Sequence, residues 1–229
     1  MATVARMSGP VAVLIVDDDP RSRAGLRLIL AVAADLRVVA EAGEGSQVVP
    51  LVERHDPDVI LMELLMPAWD GLAATQALRA RPDPPEVIVL TTVDPDDRVL
   101  GALRAGAAGF LRKDTPPEQV VTAVRRVARG QPVLSPEVAR RLLARVPDSD
   151  RDRRRAVARA RLASLPAREH AVAMAVGRGL SDAEAGTLLF LSVTAVREHV
   201  ADILARFGLN NRVQIALLTH DAGLLDDQS

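Results

Sequence analysis

The chain is 229 residues long, carries a formal net charge of −1 and has no cysteine. That length allows one large or two small domains, the missing cysteines exclude disulfides and thiol chemistry, and the near-balanced charge gives no chain-wide electrostatic footprint for nucleic acid. No apolar run reaches the ~18 residues of a membrane span, because Asp35 and Arg37 interrupt 28–40. The opening MATVARMSGP lacks the apolar core of a signal peptide, so a cytoplasmic protein is expected.

Up to about residue 130, apolar runs alternate with helical patterns. Strands are expected over Val11–Val16, Leu36–Ala40, Val59–Met62, Glu86–Leu90 and Ala107–Leu111, and helices near 20–33, 45–55, 70–80, 95–105 and 116–129. Short apolar runs bounded by turn residues read as buried strands. Five strand–helix units in succession predict an α/β fold, a doubly wound parallel sheet covered on both faces. Thr115-Pro116-Pro117-Glu118 has the spacing of a capping box with Pro at the first helical position, and Asp94-Pro95 marks the start of the helix before it.

The chemistry concentrates at strand ends. In DPDVILMELLMPAWDG (56–71) the apolar run ends in Glu63 and breaks into a loop at Pro67. The first strand ends in Val16-Asp17-Asp18-Asp19-Pro20. Neighbouring parallel strands put Asp17 and Asp18 beside Glu63, at the carboxyl edge where open α/β sheets hold their ligands. Acids gathered there repel one another unless a cation sits among them, and oxygen-only ligands favour Mg²⁺. Thr91 follows the fourth strand, and Lys113, the sole lysine of the chain, follows the fifth. A hydroxyl and a point cation over a carboxylate–metal site suit the oxygens of a phosphoryl group. Asp19 reads as a helix cap rather than a third ligand, and Met62 and Met66 as core filler.

In this order and spacing, residues 11–130 resemble the receiver domain of bacterial two-component response regulators, a flavodoxin-like fold. The resemblance implies that Asp17 and Asp18 hold Mg²⁺ with Glu63 and the carbonyl of Leu65, and that Thr91 and Lys113 contact the phosphoryl group. It makes Phe110 either an aromatic switch or ordinary core. The family's phosphoacceptor is Asp, and here that position is Glu63. The extra methylene carries the carboxylate roughly a bond length further into the pocket, and in-line transfer beside octahedral Mg²⁺ tolerates little misplacement. Any Mg²⁺ is therefore expected to bind weakly. Three readings stay open: a naturally atypical receiver, an engineered phosphomimic, and a slow acceptor. A mimic offers about one charge and two oxygens, against nearly two charges and three oxygens for a phosphate.

Beyond residue 130 a helix is expected from Ser135-Pro136-Glu137 to about Arg145. The run PDSDRDRRRAVARARLAS carries six Arg against three Asp and reads as a linker entering a helix, either a solvated hinge or a DNA-backbone contact. From 165 the pattern is wholly helical, with segments near 166–177, 181–189, 193–206 and 211–222. Ser181-Asp182-Ala183-Glu184 is a capping box, and Ser192 can cap the helix that follows. The short turn from Leu188 to Ser192 has the spacing of a helix-turn-helix.

The run GLSDAEAGTLLFLSVTAVREHVADILARFGLNNRVQ is similar to the LuxR/NarL-type helix-turn-helix, with 193–206 as recognition helix. The resemblance implies that Arg197 reads guanine and Glu198 accepts from cytosine. Arg206 and Arg212 would anchor phosphates, Ser192 and Thr194 would donate to backbone oxygens, and His199 lies on a flank. Five Arg against eight acids over 165–229 is an unusual balance for a phosphate-binding surface. Gly186 inside a helix costs ~1 kcal/mol against Ala, and Pro166-Ala167 leaves Ser164 to cap the helix that follows. The last helix, Val213 to Thr219, offers an apolar face for pairing two copies or for packing inward. The four histidines lack ligand spacing, so no zinc site is expected.

The expected organisation is a receiver domain over 1–130, a helical linker over 131–163 and an all-α helix-turn-helix domain over 164–229. That is a NarL/FixJ-type transcription regulator and not an enzyme. Its expected partners are promoter DNA, bound as a homodimer, and a sensor histidine kinase in a phosphorelay, with no membrane. The alternatives are a protein-interaction module with impaired DNA binding and a Mg²⁺-dependent phosphohydrolase, which lacks a substrate-binding cap.

Overall fold

The computed structural model describes residues 9–66, 69–79, 81, 84–92, 97–131, 133–134, 138 and 148–225. The chain divides into two compact units, Met1–Asp94 with Gly101–Val133 and Pro95–Leu100 with Leu134–Ser229. The first unit begins with β1 (Val11–Val16), α1 (Pro20–Ala31), β2 (Leu36–Ala42), α2 (Val48–His55) and β3 (Val59–Glu63). A short hairpin, β4 (Leu65–Met66) with β5 (Trp69–Asp70), precedes α3 (Gly71–Arg79). Then come β6 (Glu86–Thr91), α4 (Asp97–Arg104), β7 (Gly109–Arg112) and α5 (Pro117–Ala128). Five strands form one parallel sheet in the order β2-β1-β3-β6-β7.

The central strands are buried along their length, from Val13 to Val16, Val59 to Met62 and Val87 to Leu90. Continuous apolar runs of this kind need cover on both faces. On one face that cover includes Leu30 of α1 and Val120, Val124 and Val127 of α5. Met62 and Met66 are buried, as core filler would be.

Local details differ from the expectation. β2 continues to Ala42, and β7 starts at Gly109 rather than Ala107. Gly106, at φ 110°, closes the preceding turn, and Ala107 N–H returns to the Ala102 carbonyl at 2.9 Å. Thr115 forms no capping box: the N-cap of α5 is Pro116, without a side-chain bond, and the helix starts one residue too late for Thr115 to reach it. Asp94-Pro95 and the helix expected over 135–145 lie outside the described residues, Val138 excepted.

The second unit contains α6 (Asp148–Ala163), α7 (Ala167–Gly177), α8 (Asp182–Leu189), α9 (Val193–Phe207) and α10 (Arg212–Asp221). The arginine-rich run is more than a hinge. Ala158 and Leu162 of α6 enter a core with Val172, Val176, Val196, Ile203 and Ile215. Arg161 donates to the Phe207 carbonyl at 2.9 Å and lies 5.0 Å over the Phe207 ring, and Arg159 donates to the Ala222 carbonyl at 2.8 Å. Cationic groups at helix C-termini offset the negative end of the helix dipole. Ser164 does not cap α7; its hydroxyl donates back to the Arg161 carbonyl at 2.7 Å. The apolar side of α10 turns inward, with Val213, Ile215 and Leu217 buried in the same chain. Among the described residues no helix is long and apolar enough to cross a membrane.

Gly186 reads as a defect in sequence and has a purpose in the fold. A Cβ there would stand 2.7 Å from the Leu191 carbonyl oxygen, which is backbone and cannot move aside. Overpacking of this kind costs about 1–3 kcal/mol and exceeds the ~1 kcal/mol that Ala gains in helix propensity. Gly186→Ala should therefore lower the melting temperature of this unit by several degrees in calorimetry, whereas propensity alone would raise it.

Candidate carboxylate pocket and nucleic-acid interface

β1 and β3 end side by side, with Val16 opposite Met62, and β6 follows with Leu90 opposite Glu63. This register delivers Asp17 and Glu63 to one edge of the sheet, both buried. Thr91, also buried, ends β6, and its carbonyl accepts the Lys113 backbone N–H at 2.8 Å. That bond ties the residue after β7 to the same edge. Lys113 Nζ then lies 2.6 Å from Asp17 Oδ2 and 2.8 Å from Glu63 Oε2.

The remaining bonds hold the two carboxylates in place. Asp17 Oδ1 accepts from Asp19 N–H at 2.9 Å, and Oδ2 accepts from the Ser22 hydroxyl at 2.6 Å. Glu63 Oε1 accepts from Leu65 N–H at 2.9 Å. Arg23 donates to the Asp17 carbonyl at 2.7 Å and pairs with Glu41 at 3.5 Å. Partial burial works against the Lys113 charge, but the hydrogen bonds and fields of Asp17 and Glu63 outweigh it and raise the lysine pKa. Ser22 and Arg23 were not anticipated. Their signal is position: both fall in the first turn of α1, which starts beside Asp17.

The expected ligand set comes together only in part. Asp18 is exposed, and the described residues contain no group of three His, Cys, Asp or Glu placed to hold a metal. Leu65 supplies an N–H to Glu63. The donor set is all oxygen and fits a hard divalent cation in kind, although the charge position between the two buried carboxylates is held here by ammonium. Asp19 caps α1 by accepting from Arg21 N–H at 2.9 Å. Phe110 is half-buried and lies outside the core cluster that takes in its neighbour Leu111.

In the second unit α8 opens with the expected capping box: Glu184 N–H donates to Ser181 Oγ at 3.2 Å, and Ser181 N–H to Glu184 Oε2 at 2.7 Å. Ser192 caps α9 by accepting from Ala195 N–H at 3.1 Å. Thr194 and Glu198 are exposed on α9. His199 is half-buried, with Nδ1 buried and unbonded. Phe190, in the left-handed region at φ 56°, is 96% exposed in the turn between the two helices.

Arg212 corrects the expectation. It is buried, with Nη1 2.7 Å from Asp182 Oδ1 and Nη2 donating to the Leu180 carbonyl at 2.9 Å. A side chain so enclosed is an internal tie and not a phosphate anchor. Arg197 Nε pairs with Asp182 Oδ2 at 3.1 Å, and Arg206 Nε with Glu169 Oε2 at 3.3 Å. The helix-turn-helix motif marks the arginines in the sequence but not the acids that hold them, Asp182 and Glu169.

Residues 13–125 match the family described as the response regulator receiver domain. The transcriptional regulatory protein LiaR of Bacillus subtilis (strain 168) is 33% identical over 92% of this chain and 97% of its own length. The nitrate/nitrite response regulator protein NarL of Escherichia coli (strain K12) is 32% identical over 92% of this chain and 95% of its own. Among solved structures, the response regulator ChrA of a heme-sensing two-component system is 34% identical, with a TM-score of 0.51 over 94% of this chain and 99% of that one.

Removing Lys113 leaves two buried carboxylates facing each other. Lys113→Ala should lower stability to urea by about 2–3 kcal/mol, below the 3–5 kcal/mol of a fully buried pair because the lysine side chain is partly solvated. Its raised pKa makes that contribution complete below the unfolded value of ~10.4 and lost as pH rises through the higher folded value. The stability difference between the parent and Lys113→Ala should therefore stay level from neutral pH upward and vanish only in alkali.

Proposed function

Because the chain belongs to the NarL/FixJ family of response regulators, we propose that it is a transcription regulator that reads promoter DNA with α8 and α9 and is controlled by the pocket around Glu63. The observation that carries this reading is the direct contact between Glu63 and Lys113. A permanent carboxylate engages the ammonium that a phosphoryl group would otherwise recruit. Control then comes from the residue itself, as a phosphomimic of about one charge in place of nearly two, and the active state is populated in part.

Asp17 and Ser22 keep Lys113 aligned, and Thr91, at the end of the neighbouring strand, would offer its hydroxyl to a phosphoryl oxygen. Mg²⁺, when bound, would supply a divalent charge to such oxygens, with Asp17, Asp18, Glu63 and the Leu65 carbonyl as its ligands. An Asp at position 63 would make a sensor histidine kinase the natural phosphodonor. Two copies on half-sites about one helical turn apart would offset a modest affinity per copy. A protein-interaction module with impaired DNA binding is the second reading, favoured by the acids that already hold Arg197 and Arg206.

Duplexes enriched by the full chain from a random library at about 50 mM salt test both, since phosphate contacts weaken steeply with added salt. The parent chain should shift them specifically without a phosphodonor, whereas Glu63→Asp should need acetyl phosphate and Mg²⁺. A parent that also needs acetyl phosphate would overturn control by Glu63. Absence of any specific shift in every state would overturn the regulator and leave the interaction module.

A further inference from the structure

Asp182 stands at the first position of α8 and divides its carboxylate between two guanidinium groups. Oδ1 pairs with Arg212 Nη1 at 2.7 Å and Oδ2 with Arg197 Nε at 3.1 Å. The two arginines differ sharply in surroundings. The Arg212 side chain is 7% exposed and is tied through Nη2 to the Leu180 carbonyl at 2.9 Å, whereas the Arg197 side chain is 62% exposed. Asp182 lies between them at 13% exposure. The ranking sets the direction of control: the buried guanidinium fixes the carboxylate, and the carboxylate fixes the exposed one.

The pairing takes only Nε of Arg197. Among the described residues its hydrogen bond is made by Nε, and its two Nη groups make none. A guanidinium held by Nε keeps the two-pronged edge that matches guanine O6 and N7. Fixing its rotamer before contact removes an ordering cost from the binding step. An acid near DNA also repels phosphates, so its presence trades non-specific affinity for aim.

We propose that Asp182 is a positioning residue that aims Arg197 at a guanine in the major groove, with buried Arg212 as its fixed point. This rests on the DNA-binding reading above, in which Arg197 reads guanine, and adds the residue that orients it. The effects on specific and non-specific binding then run in opposite directions, which a general folding defect would not produce.

The test uses the full chain, its enriched duplexes, and copies of them with each guanine replaced in turn. Asp182→Asn and Arg197→Ala should each lose preference at the same guanine, by about tenfold, with no further loss when combined. Non-specific affinity should rise in Asp182→Asn. Retained preference in Asp182→Asn, loss at a different base, or a fall of specific and non-specific binding together would overturn the proposal while leaving DNA binding intact. If the parent enriches no motif, the DNA-binding reading fails and takes this one with it. Should Asp182→Asn fail to fold, hydrogen exchange at the Arg197 Nε–H of the parent, read by NMR, decides. Protection supports the pairing, and exchange at the rate of free arginine overturns it.

Discussion

One ammonium between two buried carboxylates organises the first unit. Asp17 and Glu63 arrive at the same edge because β1 and β3 are in register, and without a cation their like charges would repel at short range. Lys113 can answer both only because its backbone is anchored to Thr91 at the end of a third strand. The length of Glu63 matters to this arrangement. One carboxylate oxygen keeps the Leu65 N–H while the other reaches the ammonium. A side chain one methylene shorter, on the same backbone, would reach less far into the pocket and leave more room beside Lys113. Glu63 thus fills the space between the Leu65 N–H and the ammonium.

The second unit uses opposite charges differently. Residues 165–229 hold five Arg against eight acids, and the three arginines named for DNA are all engaged by acids to different degrees. Burial separates their roles: Arg212 is enclosed and structural, while Arg197 and Arg206 are half-exposed or more. An acidic reading head can therefore be orderly without being strongly attractive to DNA. Steering by bulk charge has little part in such a surface, and aim has more.

What sequence could reveal followed the physics of each signal. The central strands were legible because burial on both faces forces unbroken apolar runs, and the carboxylate edge was legible because strand ends fix where those runs stop. The start of β7 was misplaced since Ala107 and Ala108 are apolar yet belong to the turn closed by Gly106. Thr115 looked like a cap by spacing alone, but Pro116 already occupies the N-cap. Asp182 and Glu169 were overlooked because their arginines lie 15 and 37 residues away, and no local pattern encodes such a partnership. Gly186 and Arg212 were misjudged for the same reason: a close approach and an enclosure are properties of packing, not of composition. The apolar stripe of α10 was visible, but its direction was not.

The tie between α6 and the ends of α9 and α10 sets where this unit truly begins. A fragment cut at residue 164, where the helix-turn-helix pattern starts, would strip Leu162 from the interior and leave the Phe207 and Ala222 carbonyls to water. Such a piece would keep every residue of the motif and lose the frame that holds its helices at their angles. Domain-mapping by proteolysis should respect a border upstream of Asp148, and shorter fragments of related chains merit the same suspicion wherever an arginine-rich run precedes the motif.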